Sequence, residues 1–187
     1  RNRLVGNAVS ESLRAFGAVL IVGPKCCGKT QFALGVSNSA FMMEGINEYG
    51  ISNKSLVEMD VRIALQGGVP HMIDEWQDVP RIWDAVRSEV DSKASKGLFI
   101  LTSSSAPLRK DSAPVHSGTG RIRRLRMRTM SLMESGDSSG TISLRSIMDG
   151  KDIGMVEEGT TMESLVELVI RGGWPGNLSL PFKDSAN

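Results

Sequence analysis

Gly23-Pro24-Lys25-Cys26-Cys27-Gly28-Lys29-Thr30 is the stretch that decides the fold of this chain. It matches the pattern G-x-x-x-x-G-K-[ST], follows the apolar run of residues 18–22, and precedes a helix-forming segment that begins at Gln31. This order of elements, a strand followed by a glycine-bounded loop and then the first turn of a helix, is typical of a phosphate-binding loop. Such a loop holds an anion because its N–H groups turn inward and the following helix directs its positive dipole end at the same place.

Several residues of this loop have separate predicted roles. Gly23 and Gly28 leave room for close approach of the backbone. Lys29 can reach the β- and γ-phosphates, and the Thr30 hydroxyl can ligate Mg²⁺. The residues predicted to contact a nucleotide are Gly23, Pro24, Lys25, Cys26, Cys27, Gly28, Lys29, Thr30 and Gln31.

Length and charge bound the class of protein. A chain of 187 residues fits one domain, or one domain and part of another, and buries about 70% of its unfolded surface without disulfides or a structural metal. The net charge of +1 gives no case for a nucleic acid or a membrane as partner. A nucleic acid as partner is therefore only weakly supported, by local clusters of charged residues.

The cysteines and the hydropathy pattern suggest a cellular location. Cys26 and Cys27 are adjacent, which gives neither a disulfide framework nor enough ligands for zinc, and which suits a reducing cytoplasm. No apolar run approaches the ~18 to 20 residues that cross a bilayer, and no secretory leader is recognisable. We expect a soluble, cytoplasmic protein. Because the chain begins at Arg1 instead of Met, we expect it to be a fragment.

A second decisive stretch lies about fifty residues further along the chain and supplies the acidic motif that pairs with a phosphate-binding loop. The hydrophobic segment 69–73 leads directly into Asp74 and Glu75, so a strand delivers two carboxylates at its carboxyl end, where open α/β sheets bind ligands. We predict that Asp74 holds the Mg²⁺ shell and that Glu75 orients and polarises an attacking water. The alternative is a strand followed by acids that cap the next helix.

A third strand ends in hydroxyl side chains. Residues 97–102 are apolar up to Thr102, and Ser103 and Ser104 follow. A hydroxyl at this strand end is well placed to sense the γ-phosphate through the attacking water, and Thr102 is the first candidate, followed by Ser103 and Ser104. Hydroxyls that cap a loop are the alternative interpretation.

The segment 121–128 contains five arginines in eight residues. Charged and apolar residues alternate from Arg124 on, which predicts a half-exposed strand with Leu125 and Met127 directed inward. Three interpretations compete. Arg121 is an arginine finger that neutralises a transferring phosphoryl group; the other arginines line a nucleic-acid surface; or the row pairs with acids such as Glu89, Asp91 and Glu134.

Strands and helices alternate along the chain, which predicts an α/β fold. Helices are predicted at 3–16, 29–36, 55–65, 79–93 and 162–170, with shorter ones near 131–134 and 143–148. A short strand is predicted at 40–43, and a loop that includes His116 at 103–120. We predict a phosphate-loop ATPase core over residues 1–150 and a helical segment over residues 151–187.

Taken together, the motifs resemble the bacterial and archaeal AAA-superfamily ATPases that are known only as ATP-binding proteins and carry an uncharacterised C-terminal domain. The resemblance covers nearly the whole chain, and the motifs occur in the family's order. They are Gly-Pro-Lys-x-Cys-Gly-Lys-Thr (23–30), Ile-Asp-Glu-Trp-Gln (73–77), Phe-Ile-Leu-Thr-x-Ser (99–104), His-Ser-Gly-x-Gly-Arg (116–121), Arg-Leu-Arg-Met-Arg (124–128) and Gly-Gly-Trp-Pro (172–175).

This resemblance implies a three-layer phosphate-loop fold of AAA type, in which helices flank a central parallel sheet, with ATP or ADP and Mg²⁺ as cofactors. It implies that Asp74 and Glu75 form the family's second acidic motif and that Arg121 is its arginine after the loop. The family usually has glycine at the position of Ser103, so this chain departs from the pattern at the sensor. The family's C-terminal domain would follow Asn187.

The predicted function is Mg²⁺-dependent ATP hydrolysis, coupled to a conformational change of a C-terminal domain or protein partner. The predicted catalytic residues are Glu75, Asp74, Thr102 and Arg121, and the predicted metal ligands are Thr30 and Asp74. The first alternative is a nucleotide-gated switch or scaffold with negligible turnover. With either function the chain could form a homo-oligomer. A small-molecule kinase is the second alternative, but no arginine-rich lid and no further general base are recognisable.

Overall fold

Five parallel strands form the central sheet, and their bounds follow from the apolar runs of the sequence. The computed structural model describes residues 3–104, 118–151 and 160–180. The strands are β1 (Ala18–Gly23), β2 (Ser39–Met42), β3 (His71–Asp74), β4 (Phe99–Ser104) and β5 (Ile122–Arg126). Their spatial order is β2-β3-β4-β1-β5, and every neighbouring pair is parallel. The predicted α/β fold with a central parallel sheet is confirmed.

Helices cover both faces of this sheet, which gives the three layers that the sequence predicts. They are α1 (Val5–Ala15), α2 (Lys29–Leu34), α3 (Asn53–Met59) and α4 (Arg81–Lys93). All six residues of β1 are buried, as expected for a strand with helices on both faces. Val19 and Ile21 pack with residues of α1 and α2, whereas Leu20 and Val22 pack with residues of α3 and α4.

The chain divides into two compact units, one over residues 4–128 and one that joins Arg3 to the residues from Thr129 onward. The first unit holds the sheet and its four helices. The predicted boundary between residues 150 and 151 stays a prediction. None of the helices in the described ranges combines the length and the hydrophobicity that crossing a membrane requires.

In the second unit, the described residues form the α-helices α5 (Leu132–Ser135), α6 (Leu144–Met148) and α7 (Met162–Arg171). Each begins where a hydroxyl side chain accepts a hydrogen bond from the first turn, namely at Ser131, Ser143 and Thr161. At Ser131 the Glu134 carboxylate completes a capping box, which satisfies two backbone donors at once. The side-chain chemistry of the sequence therefore sets these helix starts.

Two predicted element bounds differ from the structure in a way that matters later. The helix predicted at 55–65 ends at Met59, because the Asp60 side chain accepts a hydrogen bond from the Arg62 N–H at 3.0 Å and starts a separate 3₁₀ turn. The strand predicted to end at Thr102 continues to Ser104, since its last residues pair with Val22 and Gly23. Hydrogen bonds made with a neighbouring strand decide both the length of β4 and the position of its hydroxyls.

His71 is a buried ionisable residue at the first position of β3. Its Nε2 lies 3.1 Å from the Ala64 carbonyl oxygen, and its Nδ1 lies 2.6 Å from the Ser39 hydroxyl. Because a carbonyl oxygen only accepts, Nε2 carries a proton. The Ser39 hydroxyl has a single proton and also lies 2.7 Å from the carbonyl oxygen of Gly68, so it faces two acceptors, that carbonyl and Nδ1. Burial lowers the pKa of His71, although the bond to Ala64 acts in the opposite direction.

This lowered pKa predicts a pH dependence of stability. Below the unfolded pKa of about 6.5 the unfolded chain binds a proton that the native state resists, so we expect the free energy of unfolding to fall as the pH drops from 7.5 to 5.5, by at most about 1.4 kcal/mol per pH unit. Urea unfolding of the wild type and of His71→Gln at both pH values measures this. The slope should be smaller in His71→Gln; equal slopes would contradict the prediction.

Candidate functional site

The carboxyl ends of β1, β3 and β4 meet at one edge of the sheet and bring the two decisive motifs together. The phosphate-binding loop follows Gly23 at the end of β1, and Glu75 follows Asp74 at the end of β3. The Thr30 hydroxyl, in the first turn of α2, donates to Asp74 Oδ1 at 3.0 Å. Residues that are 44 positions apart in the chain are thus in direct contact. The pairing predicted from the sequence is geometrically possible.

Backbone conformation and a close neighbour explain the two glycines of the loop. Gly28 has φ 95°, in the left-handed region that glycine adopts without strain. At Gly23 a Cβ atom would lie 2.1 Å from the carbonyl oxygen of Met127, just after β5. The sequence predicts that Gly23 leaves room for close approach of the backbone, and the structure shows that contact with the chain after β5 already excludes a side chain there.

Lys29 lies inside the loop. The residue is only 4% exposed, and its ammonium donates to the carbonyl oxygen of Pro24 at 3.0 Å. An ammonium with three donors keeps two for another acceptor when one is used. The side chain is therefore held against the backbone of the loop, with donors left for an anion.

The two cysteines lie in different environments although they are adjacent. Cys26 is exposed and has φ 62°, while Cys27 is buried and directs its thiol toward the carbonyl oxygen of Met127 at 3.9 Å. Cys27 therefore packs the loop onto the chain that follows β5. Lys25 and Gln31 are exposed, and Pro24 is partly buried, so these predicted contact residues line the outer part of the loop.

Thr102 connects the two acidic residues. Its hydroxyl is fully buried, donates to Asp74 Oδ1 at 2.5 Å, and accepts a hydrogen bond from the Glu75 N–H at 3.0 Å. A hydroxyl has one proton to donate, and Asp74 receives it. The sensor role predicted for Thr102 does not fit this geometry, because the hydroxyl is used inside the protein to position Asp74 and Glu75.

Glu75 has an unusual backbone conformation. Its φ and ψ of 51° and 48° lie in the left-handed region, which costs a residue with a side chain about 1–3 kcal/mol and is found disproportionately at functional sites. Its Oε2 atom accepts hydrogen bonds from the Ser104 N–H at 3.0 Å and from the Gln77 side-chain amide. The carboxylate is thus held at the same sheet edge as Lys29.

Gln77 and Ser104 contact Glu75 in a way that the sequence did not predict. Gln77 is part of the Ile-Asp-Glu-Trp-Gln motif without a predicted role of its own, and Ser104 is a candidate sensor together with Ser103, behind Thr102. The signal in the sequence was an amide two residues after Glu75, between Trp76 and Asp78. Ser103 is not an equivalent choice, since its hydroxyl donates to the carbonyl oxygen of Ser104 at 3.0 Å.

Arg121 lies at the amino ends of the strands, opposite the carboxyl ends where the loop and the two acidic residues meet. It precedes Ile122, whose partner is Ala18 at the start of β1, so the length of β1 separates it from the phosphate-binding loop by roughly 16 Å. Its guanidinium forms an ion pair with Asp91 at 2.8 Å, which lowers the pKa of Asp91 through a side-chain hydrogen bond. The structure therefore places Arg121 away from the residues that meet at the carboxyl ends of β1, β3 and β4, and its predicted catalytic role stays a prediction.

The other arginines of the row differ from one another. Arg123 lies over the ring of Phe16, 6.0 Å from its centroid, while Arg124 and Arg126 are exposed on the same face of β5 as Ile122. Leu125 and Met127 point inward, as predicted, and pack beneath α1 and α2. The ion-pair interpretation is confirmed for Arg121 and Asp91. His116 and residues 105–117 lie outside the described part of the chain.

The link through Thr102 gives a testable prediction for stability. Thr102→Val keeps the shape but removes a donor to Asp74 and leaves the Glu75 N–H without its acceptor, which should lower the free energy of unfolding by about 1–3 kcal/mol. Urea denaturation at pH 7.5 measures the change. Thr102→Ser, which keeps the hydroxyl, should lose less than Thr102→Val; if both variants lose the same amount, the hydroxyl is not what matters.

Comparisons with known proteins agree with this architecture. A family model described as an AAA domain matches residues 15–135, which is more than half of the chain. The comparison with curated proteins finds no match. A solved structure of the FIGL-1 AAA domain in complex with ADP is 13% identical, covers 73% of this chain and 60% of its own, and has a TM-score of 0.40.

The structure of C. elegans PCH-2 is 15% identical, covers 97% of this chain and 55% of its own, and has a TM-score of 0.36. This chain therefore spans less than two thirds of the length of either solved structure. The family match coincides with the parallel sheet, the phosphate-binding loop after β1 and the acidic pair after β3. On these grounds, the chain belongs to the family of AAA domains.

Proposed function

We propose that this AAA domain binds ATP together with Mg²⁺ through residues 23–31 and hydrolyses it with Glu75 as the residue that orients the attacking water. One observation carries the proposal: Thr30 and Asp74 are in contact at 3.0 Å, with Lys29 and Glu75 at the same sheet edge. The loop supplies donors for the phosphates, and the end of β3 supplies carboxylates to face the terminal one. The proposed product is ADP with inorganic phosphate.

The residues at this edge fit a magnesium ion. Mg²⁺ prefers oxygen ligands and takes only one or two from the protein when phosphates and waters supply the rest. Thr30 and Asp74 offer a hydroxyl and a carboxylate in contact, and no cluster of three or more metal-binding side chains occurs among the described residues, so a site shared with phosphates is the arrangement they fit. A bound Mg²⁺ would neutralise charge on the β- and γ-phosphates.

Thr102 and Asp74 contribute by their fixed positions. Asp74 Oδ1 accepts from both threonine hydroxyls, which leaves Oδ2 for the magnesium shell. The same Thr102 hydroxyl accepts from the Glu75 N–H, so the two acidic residues are held relative to one another. This rigidity favours hydrolysis because a group that orients water is already in place before the reaction. No free energy is then needed to reorganise it at the transition state.

Lys29 and Glu75 have separate proposed roles, in binding the phosphates and in orienting the attacking water. The Lys29 ammonium would exchange its bond to the Pro24 carbonyl for bonds to the β- and γ-phosphates. The Glu75 carboxylate would accept a hydrogen bond from a water in line with the γ-phosphorus as the bond from that atom to the bridging oxygen breaks. Coupling of this step to a C-terminal domain or protein partner is part of the proposal, since the family resemblance implies one.

Glu75→Gln tests the hydrolytic role. The substitution keeps the shape of the side chain but removes its charge, so we expect turnover of ATP to fall by about 10²–10⁴-fold while the Kd for ATP stays within twofold. Single-turnover hydrolysis and fluorescent-nucleotide binding measure the two quantities. Glu89→Gln is the matched control, at a half-buried position on α4 where the carboxylate pairs with Lys93. A wild type that binds ATP without turnover would replace this proposal by the nucleotide-gated switch.

Lys29→Ala tests the phosphate-binding loop itself. Loss of a charged donor to the phosphates should weaken binding of ATP by about 1.5–3 kcal/mol, a factor of about 10 or more in Kd. Lys96→Ala removes the same charge at an exposed position before β4, at the opposite edge of the sheet, and should leave the Kd unchanged. Equal affinities of Lys29→Ala and the wild type would refute the loop assignment.

A further inference from the structure

Gln77 makes a specific contact with the proposed water-orienting residue. It lies in the 3₁₀ turn Trp76–Asp78 directly after Glu75. Its side-chain Nε2 donates to Glu75 Oε2 and lies 3.4 Å from the Ser104 hydroxyl oxygen. The Ser104 N–H donates to the same Oε2 atom at 3.0 Å. Two donors, one from the turn and one from the end of β4, therefore converge on one oxygen of this carboxylate.

The structure tolerates two unfavourable features to keep this arrangement. Glu75 is held in the left-handed region at φ 51°, and the Oε1 atom of Gln77 is buried without a hydrogen-bond partner among the described residues. A buried acceptor without a partner and a left-handed residue with a side chain each cost free energy. Rotation of the Gln77 side chain into solvent would give its Oε1 atom a hydrogen-bond partner, but it would also remove the bond to Glu75.

Stability of the turn does not explain the position of Gln77. The turn is closed by its own backbone hydrogen bonds, from Asp78 N–H to the Glu75 carbonyl at 3.0 Å and from Val79 N–H to the Trp76 carbonyl at 3.1 Å. Trp76 is buried and packs against Trp83 with ring centroids 5.0 Å apart. Backbone and tryptophan contacts therefore suffice to hold the turn, and the Gln77 amide is available for another role.

We propose that Gln77 is a positioning residue for ATP hydrolysis: its amide and the Ser104 N–H fix Glu75 Oε2, so that Oε1 is the oxygen that receives the attacking water. The inference rests on the proposed function of this site. Fixing one oxygen removes the freedom of the carboxylate to rotate, and orientation of this kind accounts for large factors in rate. Gln77 itself touches neither water nor nucleotide in this role.

Gln77→Met is the test, because methionine has a similar length and volume but no donor. We expect kcat for ATP to fall by about 10–100-fold, the loss that a misplaced catalytic group causes, while the KM and Kd for ATP change by less than twofold. Gln66→Met makes the same chemical change at an exposed position after α3 and should leave kcat unaltered.

A double-mutant cycle separates positioning from a general structural role. In the Glu75→Gln background, Gln77→Met should cause no further loss of turnover, because the carboxylate through which it acts is already absent. Equal fold-losses in both backgrounds, or a loss of ATP affinity in Gln77→Met, would overturn the proposal. A normal kcat in Gln77→Met would overturn it as well.

The side-chain amide resonances of Gln77 provide a measurement that does not depend on turnover. In the nucleotide-free protein they should shift when Glu75→Gln replaces the charged acceptor, whereas those of Gln66 should not. If the chemical shifts of the Gln77 amide are unchanged by Glu75→Gln, the proposed role of Gln77 is overturned even if the wild type hydrolyses ATP. A wild type without turnover would instead overturn the ATPase proposal, while a shift would still show that Gln77 holds Glu75.

Discussion

The site depends on a short chain of hydrogen bonds that runs through Asp74. One carboxylate oxygen accepts from Thr30 at the start of α2 and from Thr102 in β4, and Thr102 in turn accepts from the backbone of Glu75. A buried carboxylate needs such partners, since an unpaired one would be expensive to bury. The bonds that make Asp74 tolerable in the sheet are also the ones that set the distance between the phosphate-binding loop and the acidic pair.

Packing near β5 adds a second constraint on the same loop. The carbonyl oxygen of Met127 lies where a side chain at Gly23 would be, and the Cys27 thiol points at the same oxygen. Met127 is itself held to β1 by a hydrogen bond from its N–H to the Val22 carbonyl at 2.8 Å. The chain after β5 is therefore a support for the loop, and a movement of one would strain the other because the interior has no free space.

Two unfavourable features occur together at this edge of the sheet. The left-handed backbone of Glu75 and the unpaired acceptor of Gln77 lie two residues apart, directly after Asp74. Strain and incomplete hydrogen bonding of this kind persist only where the surroundings enforce them. Here Thr102 and Ser104 of β4 hold the two acidic residues in place through hydrogen bonds. This strand therefore controls the geometry of Asp74 and Glu75.

The sequence by itself determined the α/β class, the phosphate-binding loop and the acidic pair, because each has a local pattern: an apolar run, a glycine spacing and a strand that ends in carboxylates. It did not determine which hydroxyl of β4 does what, why Gly23 must be glycine, or where Arg121 lies. These depend on the register of β4 and β5 against β1, which places Thr102 beside Asp74, Met127 against Gly23, and Arg121 at the far edge beside Asp91. Register is set by contacts between residues far apart in the chain, and only the tertiary structure decides those.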